Sequence, residues 1–243
     1  MHASPPLNAV RPRSLAPRAN TLAQRPVADD SLSQAMGLMG ATITYARNSE
    51  IFGENEPAEY LYKVVSGSVR TYKILNDGRR QVGGFYLVGD IFGLEFADEH
   101  SLSAEAITDC KILVVKRNAL NALAGRDASV AKQLLTLTGC ELHRVQNRIL
   151  LLIKNAQQRV AGFLLEMARR DSPGDVIELP MSRQDIADYL GLTIETVSRT
   201  LTHFEKAAAI ALPTARRVVL RSRSALKRIN AESGVPLCLT PFE

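Results

Sequence analysis

Ser182-Arg183-Gln184-Asp185-Ile186-Ala187-Asp188-Tyr189-Leu190-Gly191-Leu192-Thr193-Ile194-Glu195-Thr196-Val197-Ser198-Arg199 is the stretch on which the reading of this chain turns. Ser182 with Asp185 three residues on has the form of a capping box, a hydroxyl accepting an amide and a carboxylate reaching back. The helix it opens, residues 184–190, carries Ile186, Ala187 and Leu190 on one face. Gly191 permits a sharp turn, Leu192 plugs the space between two helices, and Thr193 caps a second helix running to about Lys206. Val197, Leu201 and Phe204 make that helix's inward face. Helix, tight turn, helix at this size points to a unit that enters the DNA major groove.

The outward face of the second helix presents Ile194, Glu195, Ser198, Arg199 and Thr202. Arg suits guanine O6 and N7, Glu the amino group of cytosine, and Ile a thymine methyl. Base readout is therefore assigned to Ile194, Glu195, Ser198 and Arg199. A plain ion pair between Glu195 and Arg199, four residues apart, is the competing reading. The capped helix and glycine turn ahead of them favour the first.

Residues 210–212, Pro213-Thr214 and residues 217–220 predict a basic hairpin, the wing of a winged helix. From 181 to 230 there are nine basic residues against four acidic, or +5 in 50 residues, the balance that phosphate contact requires. Phosphate contacts are expected from Ser182, Arg183, Gln184, Thr193, Thr196, Thr202, Arg216 and Arg217. Arg221 and Arg223 read as further phosphate contacts or solvated charges. Such contacts contribute affinity and salt dependence rather than sequence choice.

Upstream, the texture changes twice. Apolar runs at 60–65, 69–75, 81–87, 104–107 and 111–116 are punctuated by Ser66-Gly67, Asn76-Asp77-Gly78 and Gly89-Asp90. Asp77-Gly78 supplies the positive φ angles of a tight hairpin, and the whole reads as a small β-roll or barrel. Residues 128–156 contain one glycine and no proline, which favours a single long helix. Ala128, Ala131, Leu135, Thr138, Leu142, Val145, Ile149, Leu152 and Ala156 fall on one heptad stripe, broken in apolarity only by Thr138. Leu135, Thr138, Leu142, Val145, Ile149 and Leu152 are the expected dimer seam, meeting the same helix of a second chain. Val130, Leu134 and Leu137 form a second stripe able to pack on the chain's own barrel. A shorter helix follows at about 156–170, ended by Ser172-Pro173-Gly174.

Composition narrows the class. In 243 residues 46% are hydrophobic and 23% charged, ordinary for a globular protein, and the absence of Trp disfavours an aromatic ligand platform. No run approaches 18 apolar residues, so no membrane span is expected. Cys110, Cys140 and Cys238 are odd in number and not at metal-ligand spacing, which suits a reducing compartment and thiols packed as small hydrophobes. A cytoplasmic location is expected. Residues 1–28, with Arg11, Arg13, Arg18 and Arg25, five prolines and no acid, read as a disordered tail. A metal enzyme of the cupin type would need clustered histidines, whereas His2, His100, His143 and His203 have no paired spacing. His100, the one histidine in the barrel region, reads as an exposed loop residue rather than a haem ligand.

The quoted stretch, with Glu59-Tyr60-Leu61-Tyr62-Lys63-Val64, Ser66-Gly67 and Gly89-Asp90-Ile91-Phe92-Gly93, resembles the CRP/FNR superfamily from about Met36 to Asn230. The resemblance implies an α+β fold: an N-terminal cyclic-nucleotide-binding-like β-roll, a long dimerisation helix and a C-terminal winged helix-turn-helix. The expected divisions are a basic tail at 1–28, the β-roll at 29–127, the dimer helix at 128–156, the DNA-binding domain at 157–231 and a tail at 232–243. Cyclic-AMP-binding relatives carry Gly-Glu and Arg-Ser pairs for ribose and phosphate, where this chain has Gly93-Leu94 and Leu102-Ser103. A phosphate buried without its cation is costly, so no cyclic nucleotide is expected. No cysteine precedes Cys110, so the N-terminal iron–sulfur cluster of FNR sensors is not expected either. What remains resembles the FixK group of effector-less regulators. It implies no cofactor, double-stranded DNA, a second copy and RNA polymerase as partners, and genes of microaerobic respiration or nitrogen fixation as targets. The oxidisable cysteine near the reading helix found in some FixK proteins has no counterpart between Glu141 and Leu237.

Overall fold

In a computed structural model of the protein the described residues are 31–95, 97–150, 153–171 and 174–231. The two expected tails, Cys238 and Leu152 of the expected seam lie outside them.

Helix α1 (Ser31–Met39) precedes strands β1 (Ala41–Tyr45), β2 (Glu50–Phe52), β3 (Tyr60–Ser66), β4 (Val69–Ile74), β5 (Arg80–Tyr86), β6 (Ile91–Phe92), β7 (Ser103–Ala106) and β8 (Cys110–Lys116). They form two antiparallel sheets, ordered β1-β8-β3-β6 and β2-β7-β4-β5. Inward-facing Phe52, Tyr62, Val64, Val69, Phe92, Ala104, Ala106 and Ile112 fill the space between them. Strand β1 escaped the sequence reading because four of its five residues are exposed, leaving no apolar alternation to read. Its place is set by pairing with β8.

The β4–β5 hairpin departs from the expected turn. Only Gly78 has positive φ, at 80°. Its N–H donates to the Leu75 carbonyl at 2.8 Å, and the Leu75 N–H donates to the Arg79 carbonyl at 2.8 Å. This is a three-residue loop closed by a left-handed glycine, with Asp77 accepting from the Arg79 N–H at 3.0 Å.

After α2 (Arg117–Ala124) comes α3 (Ala128–Leu150), then α4 (Ala156–Asp171). The single helix expected over 128–156 is therefore interrupted: Lys154 and Asn155 are not helical, and α4 starts afresh at Ala156. The physical reason is Asn155: its Oδ1 accepts from the Gln158 N–H at 3.0 Å while its own N–H donates to Gln158 Oε1 at 2.9 Å. This reciprocal cap starts a new helix. One face of α3 does pack on the roll, Val130 buried and Leu134 and Leu137 partly buried against Leu32, Met36, Leu61, Val115 and Leu120. The opposite stripe is bare: Leu135 is 74%, Leu142 58%, Val145 50% and Ile149 61% exposed in the single chain.

The C-terminal part comprises β9 (Val176–Glu178), α5 (Arg183–Leu190), α6 (Ile194–Lys206), β10 (Ile210–Thr214), β11 (Arg217–Leu220) and α7 (Arg223–Ala231), the strands ordered β10-β11-β9. Phe163, Leu164 and Met167 of α4, Ile186 and Leu190 of α5, Val197, Leu201 and Phe204 of α6, and Leu226 of α7 share one core. Val82 and Phe85 of β5 extend it into the roll. Phe85 sits 5.1 Å from Tyr189 and 6.2 Å from Phe163 between ring centroids.

Gly191 ends α5 at φ 63°, ψ 43°. A Cβ there would meet nothing closer than Arg159 Nη1 at 3.5 Å, so space is not the constraint and the left-handed backbone is. Gly191→Ala should therefore cost about 1–2 kcal/mol in urea unfolding, with secondary structure unchanged.

Candidate nucleic-acid interface

The reading unit is built from its caps inward. Ser182 Oγ accepts from the Asp185 N–H at 3.1 Å, and Asp185 Oδ2 accepts from the Ser182 N–H at 2.9 Å and hydroxyl at 2.7 Å. The capping box closes as the sequence implied. Thr193 Oγ1 accepts from the Thr196 N–H at 3.2 Å and starts α6. Val197, Leu201 and Phe204 are buried, which turns Ile194, Glu195 and Arg199 outward to solvent with Ser198 half-buried beside them. Glu195 does not close on Arg199. Hydrogen bonds from its own backbone N–H and from Thr193 hold its carboxyl below the usual range, with Arg199 a lesser influence. Glu195 is thus ionised at neutral pH, able to accept but not donate. Along the same face Ser198, Arg199, Thr202, His203 and Lys206 line a shallow open depression.

The expected phosphate contacts divide. Arg216 is exposed at the turn of the β10–β11 hairpin. Arg217 is exposed but lies 3.2 Å from Glu178, and Arg223 lies 2.8 Å from Asp175. Arg183 is half-buried, and Gln184 donates to Asp188 at 2.6 Å. In the chain without DNA the hydroxyl of Ser182 donates to Asp185 at 2.7 Å and that of Thr202 to the Ser198 carbonyl at 3.0 Å. Thr193 and Thr196 hold each other at 3.1 Å.

The back of this unit is fastened to the roll, which nothing in the sequence pattern announced. Asp185 Oδ1 accepts from Arg70 at 3.0 Å and from Arg80 at 2.7 Å, and Arg80 also reaches Asp188 at 2.7 Å. Arg70 turns its other nitrogen to Glu105 at 2.8 Å. Gln81 donates to the Asp188 carbonyl at 2.6 Å. Arg148 of α3 donates to the Val82 and Gly83 carbonyls and lies over the Tyr189 ring, 5.2 Å from its centroid. Burial pushes the Tyr189 hydroxyl up to about 12. Burial acts to lower Arg80, but Asp188 and Asp185 outweigh it and hold the guanidinium above its usual range.

In the roll, two expectations change. His100 is not an exposed loop residue: it is 1% exposed, its ring stacked on Phe52 at 3.6 Å and its Nδ1 2.6 Å from Glu95 Oε2. Aromatic stacking plus a carboxylate partner makes that burial possible, a pairing the lone histidine did not advertise. Cys110 is buried as expected, but Cys140 is exposed on α3. No group of three or more His, Cys, Asp or Glu among the described residues is placed to hold a metal ion. Among them, too, no helix is long and apolar enough to cross a membrane.

Comparison with known proteins agrees with this architecture. Residues 158–229 match the Crp-like helix-turn-helix domain family and residues 42–127 the cyclic nucleotide-binding domain family. The chain is 48% identical over 222 residues to the nitrogen fixation regulation protein FixK of Azorhizobium caulinodans, covering 88% of this chain and 90% of that protein. It is 39% identical over 187 residues to the protein of the same name from Rhizobium meliloti, covering 76% and 85%. The structure of FixK2 from Bradyrhizobium japonicum superposes with a TM-score of 0.77 at 49% identity, over 79% of this chain and 98% of that one.

Proposed function

From the premise that the chain belongs to the CRP/FNR superfamily as a FixK-like, DNA-binding transcription regulator, we propose that it acts as a homodimer without bound cyclic nucleotide or cofactor. It reads an inverted repeat of TTGA and TCAA and, with RNA polymerase, activates genes of microaerobic or anaerobic respiration or nitrogen fixation. The observation that carries this reading is the uncovered outer face of α6, where Ile194, Glu195 and Arg199 stand clear over a buried Val197-Leu201-Phe204 floor.

One observed feature supports the dimer. The bare α3 stripe of Leu135, Leu142, Val145 and Ile149 is apolar at heptad spacing, and a two-fold dimer lets identical stripes cover each other. The inverted repeat proposed above is the site such a two-fold dimer would read. Ile149→Asp places a charge in that seam, which costs several kcal/mol if unpaired. Sedimentation should find this variant monomeric and unable to bind the repeat; a dimeric variant would refute the seam.

Absence of a nucleotide requirement follows from side chains. Leu94 packs partly buried against the Leu61 and Leu120 cluster, and Leu102 lines a cleft beside Gly83. Neither offers a hydroxyl-binding carboxylate or a phosphate-binding cation. Calorimetry should detect no tight binding of cyclic AMP, and adding it should leave DNA affinity unchanged.

Arg199 grips the TTGA guanine, Glu195 accepts from an amino group of the same or adjacent pair, and Ile194 and Ser198 meet the flanking thymines. Ser182, Arg183, Gln184, Thr193, Thr196, Thr202, Arg216 and Arg217 hold phosphates. Arg199→Ala should cost roughly 1–3 kcal/mol per half-site and relax the choice at the guanine. Arg217→Ala should weaken all sequences alike and lower the salt slope by about one unit. Binding to a library of site variants separates the two; unchanged guanine discrimination in R199A would disprove the reading face.

A further inference from the structure

We propose that Arg70 and Arg80 of the β-roll are positioning residues for DNA binding: through Asp185 and Asp188 they set the pose of the reading helix and so determine which half-site spacing the dimer accepts. The inference rests on the DNA reading above and adds a role for residues outside the DNA-binding domain.

Three observations carry it. First, the ion pairs join strands β4 and β5 to α5 and are shielded: Asp185 is 3% and Arg70 8% exposed. Such charges resist separation, because parting them leaves one buried and uncompensated. Second, α3 and α4 are separated by Lys154 and Asn155, which are not helical. The DNA-binding domain is therefore not held to the dimer helix by one continuous helix, and its orientation must come from lateral contacts. Third, the faces are segregated. Asp185, Asp188 and Tyr189 face the roll, Ile186, Ala187 and Leu190 face the shared core, and α6 turns its reading side chains to solvent. A contact that shields DNA from the reading helix would have to cover Ile194, Glu195 or Arg199. This one braces the unit from behind and leaves them open.

Spacing is the property such a brace controls. Adding one base pair between half-sites turns one of them by roughly 35° relative to the other, since a turn holds about 10 base pairs. A rigidly held pair of reading helices cannot follow that rotation, whereas a loosened pair can.

The test uses the full-length protein and inverted repeats whose central spacer varies by one and two base pairs either side of the optimum. A parallel series alters the half-site guanine. Arg80→Gln and Asp188→Asn loosen the brace from opposite sides, leaving the Arg70–Asp185 pair and the reading face in place. Each should flatten the spacer preference from about tenfold per base pair to under about threefold, leaving guanine discrimination and dimer sedimentation as in wild type. The double variant should be no flatter than Arg80→Gln alone, because Arg80→Gln already removes the pair with Asp188 along with the pair to Asp185. Arg80→Lys should restore most of the preference. A wild-type spacer profile in both single variants would overturn the positioning role alone. Spacer and guanine preference lost together would also overturn it, marking general damage to the domain. A wild-type protein with no spacer or guanine preference would remove the DNA reading and this proposal with it.

Discussion

One carboxylate holds two levels of the structure together. Asp185 Oδ2 closes the cap that starts α5, while its Oδ1 receives Arg70 and Arg80 from the roll. Both oxygens are spent, and the group is almost fully enclosed. A buried carboxylate is tolerable only when its lone pairs are met by donors, and here two guanidinium groups, an amide and a hydroxyl meet them. Losing either partner set would strand the other: without the arginines the helix start would bury a lone charge, and without the cap α5 would lose its N-terminal hydrogen bonds. The local signal for a helix start is therefore also an attachment point between distant parts of the chain.

Around that point the apolar packing is continuous. Val82 and Phe85 belong to a strand of the roll, yet both share the core of the DNA-binding domain, where the Phe85 ring meets Phe163 and Tyr189. Charged and apolar contacts thus act in parallel. The aromatic cluster contributes area without fixing orientation sharply, whereas bidentate and charge-assisted hydrogen bonds are directional. The pairing of a broad greasy patch with a few aimed ion pairs is what gives an interdomain contact both strength and a definite geometry.

Helix α3 divides its burial in a different way. Val130, Leu134 and Leu137 are satisfied by the roll, but the stripe through Leu135, Leu142, Val145 and Ile149 stays exposed among the described residues. An apolar stripe of this length left in water is unusual for a monomer. Its heptad spacing matches the geometry of a second identical helix better than that of a sheet, whose surface would not offer holes at 3.5-residue intervals.

Much of this was written in local chemistry. Ser182 and Asp185, Gly191, Thr193 and the Val197-Leu201-Phe204 face each act within a few residues of themselves, so their spacing alone specified the helices, the turn and the outward set of Ile194, Glu195, Ser198 and Arg199. The strand-and-turn rhythm of the roll and the two stripes of α3 were legible for the same reason: period and turn chemistry are short-range. What was not legible depends on partners far along the chain. The fresh start of α4 was not legible because Asn155 and Gln158 look like ordinary polar residues until their backbone bonds close. His100 looked exposed because its stacking and carboxylate partners, Phe52 and Glu95, form no motif with it. Arg70 and Arg80 meet an aspartate more than a hundred residues away, and their sequence neighbours read only as a strand and a hairpin. Periodicity tells which face of an element is buried, but the identity of what covers that face emerges when the chain folds and solvent is excluded between elements.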